Sequence, residues 1–121
     1  MIRYALAFAV CAGSADAQSV KLRGNEIGAL LTGNTAVGVW NGTPYRQYFN
    51  ADGSTIFAQE GARSARGEWR VEGEEYQSRW PGEEHWNGWF VMEYAGDWFW
   101  VSKSTPPTPF EVLEGEQLVA Q

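Results

Sequence analysis

The stretch TAVGVWNGTPYRQYFNADGSTIFAQE, Thr35 to Glu60, decides the fold. Asn41–Gly42 separates two short runs rich in β-branched and aromatic residues. Both turn residues tolerate positive φ, so the pair marks a tight hairpin. Asn50 to Ser54, NADGS, marks the next turn. The runs TAVGVW, TPYRQYF and TIFAQE between these signals are expected strands.

The same rhythm continues downstream. Gly61 to Ala65 reads as a loop, ARGEWRVE as a strand, Gly73 as a turn and EYQSRW as the return strand. Pro81–Gly82 suits a tight turn. HWNGWFVMEY then pairs with DWFWVSK through Ala95–Gly96–Asp97. Ser104–Pro109, STPPTP, breaks the sheet, and FEVLE is the last strand. Seven to eight short strands, with turn signals about every 8–12 residues, predict a mainly β chain: a small antiparallel β-barrel or sandwich. Closure into a barrel removes the exposed sheet edges.

Upstream of Thr35 the period is helical. NEIGALLTG, Asn25 to Gly33, places Ile27, Leu30 and Leu31 on one apolar stripe. Asn25 is the expected cap, Glu26 lies in the first turn and Gly33 stops the helix. A helix this short needs a packing partner. QSVKLRG, Gln18 to Gly24, reads as a loose lead-in.

Residues 1–17 have the form of a secretory signal: a positive start (MIR), an apolar segment (YALAFAVCAG) and small residues up to Ala17. Cleavage before Gln18 is expected, with a periplasmic or secreted location and one β-barrel-like domain over 18–121. Cys11, the only cysteine, lies inside the signal. Its neighbours Val10 and Phe8 do not fit a lipid-attachment site. The processed chain would then hold no disulfide and rely on its apolar core. The net charge of −6 survives processing, because Arg3 and Asp16 cancel. An acidic body disfavours nucleic acid and anionic lipid. No second long apolar segment follows, so no integral membrane segment is expected after processing.

Aromatic residues make up 15% of the chain, with seven tryptophans, and they crowd the last strands. Alternation puts Tyr76, Ser78 and Trp80 on one face, pointing inward. Trp86, Gly88, Phe90 and Met92 share a face, opposite Trp89 and Val91. Trp98 and Trp100 share one side of the next strand, with Phe99 and Val101 on the other. Trp69, Trp80, Trp86 and Trp98 are expected first as core packing. Trp40, Trp89 and Trp100 are the candidates to reach solvent and stack on a ligand. A hollow lined by Trp86, Trp98 and Trp100 would mark small-ligand binding. Glu68 and Glu93 sit beside aromatics at sheet positions, where a carboxylate can be desolvated. The candidate ligand-binding set is therefore Trp40, Trp86, Trp89, Trp98, Trp100, Glu68 and Glu93.

Reaction chemistry is poorly represented. His85 is the one histidine, between Glu84 and Trp86, and adjacent residues on an extended chain diverge. A closed zinc site needs three or four convergent ligands; Glu83, Glu84 and Asp97 offer at most a loose cation site. No nucleophile elbow, calcium loop or phosphate-binding glycine loop is present. No catalytic residue, metal or cofactor is expected, and the chain is not expected to be an enzyme. Asn41–Thr43 matches a glycosylation sequon, but the hairpin explains it better.

The ordered series LLTGNTAVGVW, YRQYFNADGSTIF and GEWRVEGEEYQSRW resembles a family of small exported bacterial proteins of unknown function, the DUF995 group. The matching residues are Gly33, Asn34 and Thr35, then Tyr48, Phe49, Asp52 and Gly53, then Gly67 and Trp69. The resemblance runs from about Glu26 to Val101. It implies an exported compact β-domain and no catalytic residues. The family pattern often has a cysteine in the strand after Gly-x-Trp and another in the following strand. Here Tyr76 or Ser78 stands near the first place, which implies ring packing where the family has a bridge.

Two functions of different kind follow. One is an exported binding module, calycin- or lipocalin-like in plan, recognising a small apolar ligand, glycan or envelope component through Trp and Tyr. The other is an acidic envelope protein-interaction or hydrolase-inhibitor protein, with Glu72–Glu75 and Gly82–Glu84 as its charged loops.

Overall fold

A computed structural model describes residues 18–119. The expected signal and Cys11 lie outside the described residues. A two-residue strand β1 (Val20–Lys21) leads into α1 (Gly24–Leu31). Eight strands follow: β2 (Thr35–Trp40), β3 (Thr43–Phe49), β4 (Ser54–Gln59), β5 (Ala65–Glu72), β6 (Glu75–Arg79), β7 (Asn87–Tyr94), β8 (Asp97–Val101) and β9 (Thr108–Leu113). Each pairs antiparallel with the next, and β9 returns to β2, with Thr35 opposite Leu113 and Gly38 opposite Phe110. The result is a closed antiparallel up-and-down barrel of eight strands, of the kind wide enough either to fill with side chains or to hold one small ligand.

The lead-in is not loose. Val20 and Lys21 pair with Glu93 and Met92 on β7, and the Leu22 N–H donates to Val91 O at 2.8 Å. β6 pairs only with the first part of β7, from Asn87 to Trp89, so β1 covers the backbone that β6 leaves bare. Leu22 is buried as a consequence.

The helix begins one residue before the expected Asn25 and is entered from Arg23, whose N–H donates to the Glu26 carboxylate at 2.8 Å. Glu26 therefore satisfies an otherwise free end of the backbone from the first turn. Gly24 lies tightly against the β5–β6 turn, where a Cβ would collide with Gly73 O. Ile27 and Leu31 are fully buried against one end of the barrel. Gly33, with φ of 78°, turns the chain into β2 and donates its N–H to Phe49 O at 2.7 Å.

The Gly33–Asn34–Thr35 corner is a clasp. The Asn34 side-chain amide donates to Leu30 O at 2.9 Å, and its oxygen accepts from Gly115 N at 3.1 Å. Thr35 Oγ1, fully buried, donates to Gly115 O at 2.7 Å and accepts from Gln117 N at 2.9 Å. These two side chains hold the segment after β9 against the start of β2. Their role is to close the fold, as short polar side chains at a corner commonly do.

The last strand starts earlier than expected. Thr108 and Pro109 belong to β9, where Pro109 faces Phe99 of β8. Trp86, by contrast, precedes β7 and does not share that strand's alternation.

Tight turns join the strands. Asn41 and Gly42 have φ of 50° and 80°, as the sequence predicts. Ala95 and Gly96 adopt the same shape, with φ of 53° and 86°. An alanine in the left-handed region crowds its Cβ against the next carbonyl, a cost that asparagine largely avoids. Ala95→Asn is expected to raise stability by about 0.5–1 kcal/mol, read as a higher urea midpoint with an unchanged slope. A lower midpoint would contradict the turn geometry.

Candidate functional site

Alternation along β3 puts Tyr45, Gln47 and Phe49 inside the barrel, each buried. Phe49 lies at the helix-capped end. Its ring centroid is 5.3 Å from Trp69, 5.6 Å from Tyr76 and 6.4 Å from Trp100. Trp100 stacks on Phe110 at 4.0 Å. With Ile27, Leu31, Ala36 and Val91, these rings fill one end of the barrel.

The other end is hollow. A cavity of about 430 Å³ opens there, within the ~300–1,000 Å³ range of small-molecule sites. Its rim is set by Trp40, Asn41, Gln59, Ala65, Trp80 and Trp89. Trp40 and Trp89 meet edge to face at 5.8 Å. Deeper walls come from Tyr45, Phe57 and Trp100, with Tyr45 and Phe57 stacked at 5.2 Å. The floor holds Gln47, Tyr76 and Ser78, directly above Phe49. Among the described residues no lysine, arginine, aspartate, glutamate or histidine lines it.

Two glycines make the hollow possible. A Cβ on Gly38 would fall 2.9 Å from the Tyr45 hydroxyl and 3.0 Å from its ring. A Cβ on Gly67 would fall 2.5 Å from the Trp80 ring. Both positions point inward, so the missing side chain lets each ring lie flat against the wall rather than cross the lumen.

Hydrogen bonds fix the floor. Trp100 Nε1 donates to the Tyr45 hydroxyl at 3.0 Å. Gln47 Nε2 donates to Thr55 Oγ1 at 3.1 Å and to the Tyr76 hydroxyl at 2.9 Å. Burial pushes the Tyr76 phenol up to about 12, against the opposing hydrogen bonds from Ser78 and Gln47. Burial also raises Tyr45, opposed by the Trp100 indole. Both phenols are therefore neutral donors and acceptors at ordinary pH.

Three of the sequence-derived candidates, Trp40, Trp89 and Trp100, come together in this cavity. The other four lie elsewhere. Trp86 packs on the outer wall, where the guanidinium groups of Arg70 and Arg79 lie 4.1 and 4.5 Å from its ring. Trp98 is partly buried against the core, paired with Glu93 and Phe110 toward the helix end and outside the cavity lining. Glu68 points outward and pairs with Arg79 at 2.9 Å. Glu93 stands between Val20 and Trp98, at the helix end of β7. The hollow is thus not the one drawn from Trp86, Trp98 and Trp100. Trp86 departs from it because it precedes the strand; Trp98 is one layer too deep.

Gln47, Tyr45, Phe57 and Trp80 were not singled out by the sequence as site residues. A signal existed for Gln47: a neutral polar residue between two aromatics on the inward face of a strand must meet polar partners inside the barrel.

The acidic loops are largely used within the fold. Glu83 Oε1 accepts from Trp80 N at 3.0 Å and from Asn87 Nδ2 at 2.9 Å, clamping the β6–β7 loop. Glu74 pairs with Lys21 at 3.0 Å. His85 is exposed in the same loop as Glu83. Among the described residues no three His, Cys, Asp or Glu side chains converge as a metal site, and no helix is long and apolar enough to cross a membrane.

No known protein family, curated protein or solved structure matches this chain.

The Tyr76 phenol gives a pH signature. In the folded barrel it keeps its proton up to about 12, whereas the unfolded chain releases it near 10.0. Its contribution is therefore fully present below pH 10 and is lost as pH rises toward 12. Tyr76→Phe is expected to flatten the fall in urea-unfolding free energy over that interval by roughly 2–3 kcal/mol. Equal slopes in the two proteins would contradict a buried, neutral phenol.

Proposed function

We propose that this protein is a small exported binding module that takes an uncharged small molecule into the open end of its barrel. One observation carries the reading: the barrel is filled at its helix end and hollow at the other, where Trp40, Trp80 and Trp89 rim an uncharged cavity. Large rings around a lumen present apolar area at low conformational cost, and a few neutral polar groups at the floor orient what enters. Export belongs to the same proposal and rests on the signal-like form of residues 1–17. So does membership of the DUF995-like group, which rests on the ordered Gly33–Thr35, Tyr48–Gly53 and Gly67–Trp69 motifs. A protein-interaction or inhibitor role draws on glutamates that the fold partly occupies, Glu74 with Lys21 and Glu83 with its own loop.

A neutral environment-sensitive dye, N-phenyl-1-naphthylamine, tests the site directly. Wild-type protein is expected to give a saturable 1:1 fluorescence rise. Trp89→Ala and Trp40→Ala at the rim are each expected to weaken binding by about tenfold, as loss of a contacting ring does. Trp86→Ala on the outer wall is expected to leave the affinity unchanged. No saturable binding, or an equal loss from Trp86→Ala, would overturn the cavity as the site.

A further inference from the structure

The floor of the cavity carries polar atoms that the protein leaves unpaired. The Thr55 hydroxyl uses its one hydrogen on Tyr48 O at 2.8 Å. It can only accept from Gln47, which fixes Nε2 rather than Oε1 on that side. The second Nε2 hydrogen goes to Tyr76. Gln47 Oε1 then has no partner among the described residues, on a residue only 6% exposed that lines the cavity. Tyr45 is in the complementary position. Its oxygen accepts from the Trp100 indole, and its own O–H has no protein acceptor among the described residues, on a residue 4% exposed. Buried groups of this kind are normally satisfied by protein, by water or by a ligand.

We propose that the floor reads the neutral hydroxyl or amide head of a flat, uncharged, amphipathic ring compound: Gln47 Oε1 accepts the head's hydrogen and the Tyr45 hydroxyl donates to its oxygen. The inference rests on the cavity being a ligand site, as argued above. Charge is disfavoured because among the described residues no acidic or basic side chain lines the lumen to compensate it. A sugar is disfavoured by the layout. Its hydroxyls run around the whole ring edge, whereas the buried unpaired polar atoms, on Gln47 and Tyr45, lie deep in the cavity among aromatic rings. A molecule with one polar end and an apolar body leaves no hydroxyl against an indole. The pattern also sets specificity: a site built to hydrogen-bond a substrate group discriminates against the analogue lacking it, because its own buried groups then stay unpaired.

Calorimetric titration at pH 7 with four probes tests this: 4-ethylphenol, ethylbenzene, 4-ethylbenzoate and methyl glucoside. The phenol is expected to bind at least about tenfold tighter than ethylbenzene, the benzoate and the glucoside. Gln47→Met, which keeps length and removes the acceptor, is expected to shrink the phenol–ethylbenzene gap to under about threefold. Tyr45→Phe is expected to shrink it in the same direction, and it serves alone if Gln47→Met fails to fold by near-ultraviolet circular dichroism. Ethylbenzene binding as tightly as the phenol, or a gap that survives in the folded variants, overturns the inference and leaves the cavity as a site. Preference for the benzoate or the glucoside does the same. No heat from any probe overturns the cavity reading and this inference together.

Discussion

Packing around the Phe49 ring is the contact on which the rest of the structure depends. The ring is fully buried and touches Trp69, Tyr76 and Trp100, contributed by three other strands. Its backbone is tied as well: Phe49 O accepts from Gly33 N, and Phe49 N donates to Asn34 O. One residue thus joins the aromatic stack to the corner where α1 becomes β2. Truncating such a ring removes its transfer energy and leaves a cavity, together about 3–5 kcal/mol. That is a large part of a domain's net stability of about 5–15 kcal/mol. With no cysteine among the described residues, no disulfide shares that role.

Because the helix and the stack fill one end, the other end does not have to be filled for the barrel to hold. The hollow persists for three physical reasons. Closure removes free edges, so the strands cannot slide together. Gly38 and Gly67 hold Tyr45 and Trp80 against the wall. The bonds Trp100–Tyr45 and Gln47–Thr55–Tyr76 pin the floor, and breaking them to collapse the lumen would leave buried polar atoms unpaired. The same bonds leave one acceptor, on Gln47, and one donor, on Tyr45, without a protein partner among the described residues, which ties the proposed recognition to the bonds that hold the floor.

The barrel was legible in the sequence because its determinants are local. Asn41–Gly42, Gly73 and Pro81–Gly82 mark turns by backbone chemistry, and period-two alternation separates Tyr76 and Ser78 from Gln77. The alternative of a sandwich was not excluded by those signals, since closure depends on β9 meeting β2, a long-range pairing that no local pattern encodes. Site residues were half legible for the same reason. Alternation separates Trp89 from Trp86 and sets Trp100 beside Trp98, but height along the barrel does not follow from it. Trp98 alternates correctly and still lies in the filled end. Trp86 falls outside the strand and is held by Arg70 and Arg79, cations whose proximity depends on strand register. The lead-in strand escaped notice because two residues carry no period; only the bare backbone of β7 explains its pairing.

Exchange of the tryptophan indole hydrogens with solvent, followed by nuclear magnetic resonance, tests the central claim that one end is packed and the other open. Among the described residues, only Trp69 and Trp100 have hydrogen-bonded indoles, to Asn50 O at 2.8 Å and to the Tyr45 hydroxyl at 3.0 Å. These two are expected to exchange at least about a hundredfold more slowly than Trp40, Trp80 and Trp89. Equal protection at the rim and at the base would mean that the mouth is closed and the lumen filled, contradicting a barrel packed at one end and open at the other.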